Sequence, residues 1–154
     1  MTYSDGGASH MMSSTIADDL RLAKETLLKD GVTLVAAKNG KILFRSKSHG
    51  VSDLLTMIHD LGRLTEGASL ADSVVGRAAA LLCVYSGIVA VYGAKMSEGA
   101  ASVLKGRDIH FEFGALVPKI LNRAKDDICP FDRAVLGIDE PSVALEKLKS
   151  VKLG

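Results

Sequence analysis

The chain has 154 residues, of which 19 are Lys or Arg and 18 are Asp or Glu, so its formal net charge at pH 7 is +1. This length predicts one compact domain, the balanced charge argues against a broad nucleic-acid surface, and no apolar run approaches the roughly 20 residues that a membrane helix needs. The two cysteines, Cys83 and Cys129, form neither a CxxC motif nor a disulfide framework, which favours a reducing, cytoplasmic location.

The first eleven residues are polar and contain Ala8-Ser9-His10-Met11 directly ahead of Met12. This pattern is typical of a cloning remnant. We therefore expect residues 1–11 to be such a remnant and residues 12–154 to form a single domain.

The N-terminal third of the domain is predicted to be a helix followed by a hairpin. Apolar residues at helical spacing begin near Thr15, and Gly31 is suited to end that helix in a left-handed conformation. Residues 32–37 are rich in β-branched side chains, and Asn39-Gly40 is a strong hairpin signal that leads into a return strand over residues 41–45.

The middle of the chain is predicted to contain three helices and one strand. The first helix follows Ser52 and ends at Gly62, and the second runs from Asp72 or Ser73 to Ser86. A strand over residues 88–92 and a short helix over residues 97–105 follow.

The C-terminal part is predicted to contain one more strand and three helices. Residues 109–113 alternate with the period of a strand, and Pro118 is suited to the first turn of a helix that reaches about Lys125. Short helices follow Cys129 and begin at Pro141. An antiparallel hairpin followed by strands joined by helices predicts a mixed sheet in a three-layer α/β/α sandwich, in which a fifth strand is not evident.

Four segments resemble one known family: residues 72–80 (Asp-Ser-Val-Val-Gly-Arg-Ala-Ala-Ala), Ser97-Glu98, Asn122-Arg123 and residues 129–132 (Cys-Pro-Phe-Asp). From Leu20 to about Lys149 the chain resembles the domain of unknown function 1893 family, uncharacterised prokaryotic proteins with a cytidine deaminase-like fold. The family more often has lysine at positions 73 and 77. This chain therefore lacks the cation at position 73, where it has Ser73, and keeps one at position 77 as Arg77. The difference implies a different ligand if position 73 takes part in binding.

The resemblance also locates the two helix starts where a zinc deaminase holds its metal. Such enzymes need His or Cys with a catalytic Glu at the first start and Pro-Cys-x-x-Cys at the second. Residues 72–80 contain no His, Cys or Glu, and residues 98–102 are Glu-Gly-Ala-Ala-Ser. His49, His59 and His110 lack ligand spacing. We expect no zinc, no other cofactor and no zinc-dependent hydrolysis.

A pair of helix starts remains attractive to anions through unpaired N–H groups and the helix dipole. Glu98 and Cys129 are the candidate catalytic residues. The candidate ligand-binding residues at these starts and in the family segments are Asp72, Ser73, Gly76, Arg77, Ser97, Glu98, Asn122, Arg123, Cys129 and Asp132.

Several of these residues also have a purely structural interpretation. Asp72 and Ser97 are typical helix caps, and Gly76 with the alanines after it permits tight packing. Arg77 either binds an anion through its planar guanidinium or lies on a solvated face.

The cysteines and the remaining cationic residues can also be interpreted as either functional or structural. A thiol at a helix start, as predicted for Cys129, is either reactive or structural, whereas Cys83 lies in an apolar run typical of a core. Arg123 either closes its helix or, as the family resemblance implies, pairs with Asp132 or an acidic ligand. The cations of the hairpin favour a solvated face over a nucleic-acid platform, and they are Lys38, Lys41, Arg45 and Lys47.

The pattern as a whole predicts a zinc-free domain that binds a small anionic or nucleotide-like ligand. One alternative is a non-zinc enzyme that uses Glu98 or Asp72 as acid or base, or Cys129 as nucleophile. Another is an interaction module in redox or metal-cofactor metabolism. We expect no nucleic-acid or membrane partner, and homo-oligomerisation stays open.

Overall fold

The computed structural model describes residues 12–48 and 50–151 and the backbone of Tyr3–Ser4. The helices of these residues are α1 (Ser14–Asp30), α2 (Val51–Leu61), α3 (Arg77–Tyr85), α4 (Glu98–Gly106), α5 (Pro130–Ala134) and α6 (Pro141–Lys149), with a 3-10 helix at Gly62–Thr65. The strands are β1 (Tyr3–Ser4), β2 (Leu34–Lys38), β3 (Lys41–Ser46), β4 (Ser69–Val75), β5 (Ala90–Ser97) and β6 (His110–Val117).

The strands form a mixed sheet in the order β1-β6-β5-β4-β2-β3. Strands β4, β5 and β6 run parallel to one another, whereas β2 is antiparallel to both β3 and β4. The backbone of β1 pairs with β6. The rest of residues 1–11, predicted to be a cloning remnant, lies outside the described residues, as does His49.

Helices cover both faces of the sheet, which confirms the predicted α/β/α sandwich. On one face Leu20, Ala23 and Leu27 of α1 pack against Val35 and other inward residues of β2, β4 and β5. On the other face the helices α2 to α6 share a larger core with alternate residues of the same strands. Side chains on either face of a strand alternate, so neighbours such as Leu34 and Val35 enter different cores.

The hairpin has the turn that its sequence predicts, and α1 holds it in place. Asn39 and Gly40 both have positive φ angles, 53° and 78°, as a tight hairpin turn requires. Their backbone N–H groups donate to the two carboxylate oxygens of the buried Asp19 in α1, at 2.9 and 2.8 Å. Gly31 ends α1 with φ 67°, as expected.

The predicted helix from Asp72 or Ser73 is wrong in its first part. Residues 69–75 form β4, the strand between β2 and β5, and the helix begins only at Arg77 after Gly76. Asp72 is therefore not a helix cap. The physical reason is pairing on both sides, because β4 satisfies its backbone groups through β2 and β5 and buries Leu70 and Ala71 between two helical layers.

The predicted helix over residues 118–125 is also wrong. The chain there forms a turn closed by a hydrogen bond from Asn122 N–H to the Asp127 carbonyl at 2.8 Å and by a bridge between Leu121 and Ile128. The Asn122 side-chain amide donates to the Asp126 carboxylate, and its oxygen accepts a hydrogen bond from the Asp126 backbone N–H. Such local side-chain bonds compete with helix formation, and the exposed Leu121 adds no buried apolar face.

No helix among the residues that the structure describes is long and apolar enough to cross a membrane.

Candidate functional site at two adjacent helix starts

The start of α3 is closed by a carboxylate from a distant part of the chain. Asp132, in α5, accepts a hydrogen bond from the backbone N–H of Ala78 at 2.8 Å, across 54 residues of sequence. Only 5% of Asp132 is exposed. Free N–H groups at a helix start attract anions, and here the protein supplies the anion itself.

Gly76 allows this contact because it has no side chain. A Cβ at position 76 would lie 2.8 Å from Cγ of Asp132 and closer still to Oδ2. The φ angle of Gly76 is −98°, which any residue adopts, so a close approach and not an unusual backbone explains the glycine. Ala78, Ala79 and Ala80 are buried in the core behind it, in agreement with the tight-packing interpretation.

Arg77 is bound to the protein's own loop between α5 and α6. Its Nε donates to the Val135 carbonyl at 3.2 Å, and its Nη2 donates to the Ile138 carbonyl at 2.6 Å and to Asp139 Oδ1 at 2.8 Å. Its side chain is 20% exposed. Because these bonds engage the guanidinium, the contacts of Arg77 support a structural role over ligand binding.

The start of α4 lies beside that of α3 and is more open. Ser97 caps α4 as predicted, since its Oγ accepts the Ala100 N–H at 3.0 Å. An added Cβ on Gly99 would lie 3.9 Å from both Cβ of Arg77 and Oγ of Ser97, which shows how close the two starts are. Glu98 is exposed, and its carboxylate has no hydrogen-bond or ion-pair partner within residues 12–48 and 50–151.

The pKa of the buried Asp132 carboxyl lies above its ordinary value, and its neighbours offset this shift only in part. Burial raises the pKa of the Asp132 carboxyl, whereas the Ala78 N–H and the nearby Arg77 guanidinium act in the opposite direction. A buried carboxylate without such partners would be strongly unfavourable. Asp132, Gly76 and Arg77 therefore form one interlock between α3 and the α5–α6 segment.

Asp72 lies in β4, apart from the helix starts. It is 8% exposed, and burial raises its pKa to about 8, with the Asp53 carboxyl of α2 adding to the effect and the Val74 N–H opposing it. The Val74 N–H donates to Asp72 Oδ1 at 3.2 Å. The carboxyl is thus largely protonated at neutral pH.

The neighbours of Asp72 were not all predicted. Ser73 is half-buried, and its N–H donates to the Thr33 carbonyl at 3.0 Å. Asp53, which was not among the predicted site residues, is also buried and accepts a hydrogen bond from the Thr33 hydroxyl at 3.3 Å. Asp53 lies in the first turn of α2, where an acidic residue is common for electrostatic reasons alone. The sequence around it therefore does not indicate that it is buried.

The C-terminal candidate residues are only partly brought together. Asn122 and Arg123 lie in the turn after β6, and Arg123 is exposed. The alternative in which Arg123 pairs with Asp132 is not observed among the described residues, and Asp132 is instead bound to the backbone of α3. Cys129 precedes α5, with Pro130 in the first turn as predicted.

The residues at the two helix starts do not fit a zinc ion. With Asp132 included, the two starts offer two carboxylates and neither an imidazole nor a thiolate. Among the described residues, no group of three or more His, Cys, Asp or Glu side chains is arranged to hold a metal ion.

The two cysteines differ in accessibility, which leads to a simple expectation. Cys83 is fully buried, and burial together with the Asp72 carboxyl raises the pKa of its thiol, whereas Cys129 is half-buried. In the native protein Cys129 should react with iodoacetamide at least about tenfold faster than Cys83, since the thiolate is the reacting form. Peptide mapping by mass spectrometry measures both rates, and equal rates would contradict this placement.

Comparison with known proteins gives a family and a fold. A family model described as a domain of unknown function (DUF1893) matches residues 22–151. A solved DUF1893 family protein from Thermotoga maritima is similar with a TM-score of 0.80 and 24% identity, over 92% of each chain. The dCMP deaminase of cyanophage S-TIM5 is similar at a TM-score of only 0.45 and 15% identity, over 70% of this chain and 100% of that one. No functionally curated protein matches the chain. Because the family model spans most of its length, the chain belongs to the DUF1893 family.

Proposed function

We propose that this chain binds a small anionic or nucleotide-like ligand at the start of α4, without a metal ion and without turnover. The observation that carries the proposal is the contrast between the two adjacent helix starts. The start of α3 is closed by Asp132, whereas the start of α4 has an exposed Glu98. The proposed site keeps Ser97 and Glu98 of the predicted set, adds Gly99, and leaves out Asp72, Gly76 and Arg77.

The chemistry of the α4 start suits a ligand with both an anionic group and a hydrogen-bond donor. The first N–H groups of a helix have no acceptor within the helix, and the Ser97 hydroxyl takes up only that of Ala100. The Gly99 N–H is then available to a phosphate or carboxylate. The carboxylate of Glu98 can accept from the amino or imino group of a base.

The contacts of the other candidates support binding over catalysis. Arg77 is engaged by loop carbonyls, and Asp132 is engaged by the backbone of α3. Cys129 precedes a helix of only five residues. An acid or base must reach the reacting group, and neither Asp132 nor the buried Asp72 is placed to do so.

The proposal is tested with Glu98→Gln against the matched control Glu25→Gln, an exposed glutamate in the middle of α1. Isothermal titration of nucleoside mono-, di- and triphosphates and small dicarboxylates should identify a ligand of the parent chain. Loss of a charged hydrogen-bond partner in Glu98→Gln should weaken its binding about tenfold or more. Glu25→Gln should bind as the parent does.

Two results would overturn the proposal. One is a ligand that binds Glu98→Gln and the parent chain equally. The other is the absence of binding by every compound of the panel. The second result would favour an interaction module, a function for which the internal closure of the α3 start by Asp132 is the supporting observation.

A further inference from the structure

A concave site lies between the end of α1 and the end of β3. This cavity has a volume of about 340 Å³ and is lined by Asp30, Val32, Arg45, Ser46 and Lys47. Its volume is within the range of small-molecule sites, which begin at about 300 Å³. None of its lining residues belongs to the α3 and α4 starts.

The charged groups of the cavity have both signs. Arg45 pairs in register with Val35, whose side chain enters the α1 core, so Arg45 faces the α1 side of the sheet. Its Nη1 lies 3.1 Å from Oδ2 of Asp30, the last residue of α1. Lys47 adds a second, exposed cation, and the nearly buried Val32 provides an apolar contact.

The end of α1 makes the Asp30 side of the cavity more negative. The carbonyl groups of a last helical turn carry the negative end of the helix dipole, which favours a cation there. The planar guanidinium of Arg45 can donate two hydrogen bonds to one carboxylate, and the ammonium group of Lys47 adds a second positive charge. A simple anion would be repelled by Asp30, and a simple cation would be repelled by Arg45 and Lys47.

We propose that this cavity binds a small zwitterion of the α-amino-acid class. The ligand's ammonium group pairs with Asp30, and its carboxylate pairs with Arg45 and Lys47. The Arg45–Asp30 pair is accessible for this exchange, because the two side chains are 56% and 49% exposed. The cations at the end of the hairpin, which the sequence predicts as a solvated face, then have a role in binding.

The experiment is titration of the full chain with a panel of free α-amino acids, followed by isotope-edited NMR. A binding amino acid should shift the amide signals of Asp30, Arg45 and Lys47 in a saturable way. Its N-acetyl and C-amide derivatives, each lacking one charge, should bind at least tenfold more weakly. The same loss is expected for Arg45→Gln and for Asp30→Asn, while Lys41→Gln, an exposed cation of β3 that does not line the cavity, leaves binding unchanged.

Each outcome decides the proposal. Absence of a saturable shift with any amino acid overturns it, as does retention of affinity in Arg45→Gln. Tight binding of the N-acetyl derivative alone would identify the cavity as a site for simple anions and also overturn it. Glu98→Gln should leave the titration unchanged, so failure here and failure at the α4 start are distinguishable.

Discussion

Substitution of Gly76 by alanine should lower the free energy of unfolding by about 2–4 kcal/mol, because it displaces the buried carboxylate of Asp132. A methyl group at position 76 would lie 2.8 Å from Cγ of Asp132 and nearer to Oδ2. Asp132 would lose the Ala78 N–H and keep its burial. Urea unfolding monitored by circular dichroism measures the change.

The control substitution is Gly106→Ala at the end of α4, where an added Cβ meets no atom within 4 Å. It should be neutral or stabilising by up to about 1 kcal/mol. Asp132→Ala removes the overlapping carboxylate, so Gly76→Ala should be much less destabilising in that background. Additive effects in the double variant would show that Gly76 and Asp132 are not coupled, and would contradict the interlock.

The elements that sequence predicts correctly are those with local signals. Gly31 ends α1, Asn39-Gly40 turns the hairpin, Ser97 caps α4, and Pro130 lies at the start of α5. Each of these signals acts over a few residues, so the chain nearby contains all the necessary information. The α/β/α architecture is also predicted correctly, because it follows from the order of helices and strands along the chain.

The helix predicted over residues 118–125 is prevented by local bonds between Asn122 and Asp126. The other errors concern contacts between distant segments. An aspartate after Leu70-Ala71 looks like a helix cap, but β4 is fixed by pairing with β2 and β5. Nothing near Gly76 indicates that its partner lies in α5, and nothing near Arg77 indicates loop carbonyls as its acceptors. Several candidate residues lie near one another, but their hydrogen-bond partners come from distant parts of the chain.

Substitution of Asp72 by asparagine should stabilise the protein at pH 7 by roughly 2–4 kcal/mol. The pKa of Asp72 is about 8 in the folded protein, against an ordinary value of 3.8. Between these values the unfolded chain releases the proton while the folded protein keeps it. Each pH unit in this window then lowers the stability of the parent protein by up to about 1.4 kcal/mol. Asparagine keeps an acceptor for the Val74 N–H and has no proton to release.

The measurement is the difference in unfolding free energy between the variant and the parent from pH 4 to pH 9. Other titrating groups are common to both proteins, so the difference isolates Asp72. It should increase as the pH rises from about 4 to about 8, and then level off as Asp72 ionises in the folded state as well. In an Asp53→Asn background the plateau should begin at lower pH, because the neighbouring carboxyl that helps to raise the pKa is removed. A difference that stays constant from pH 4 to pH 9 would mean that Asp72 is ionised within β4, and that a cation or solvent reaches it there.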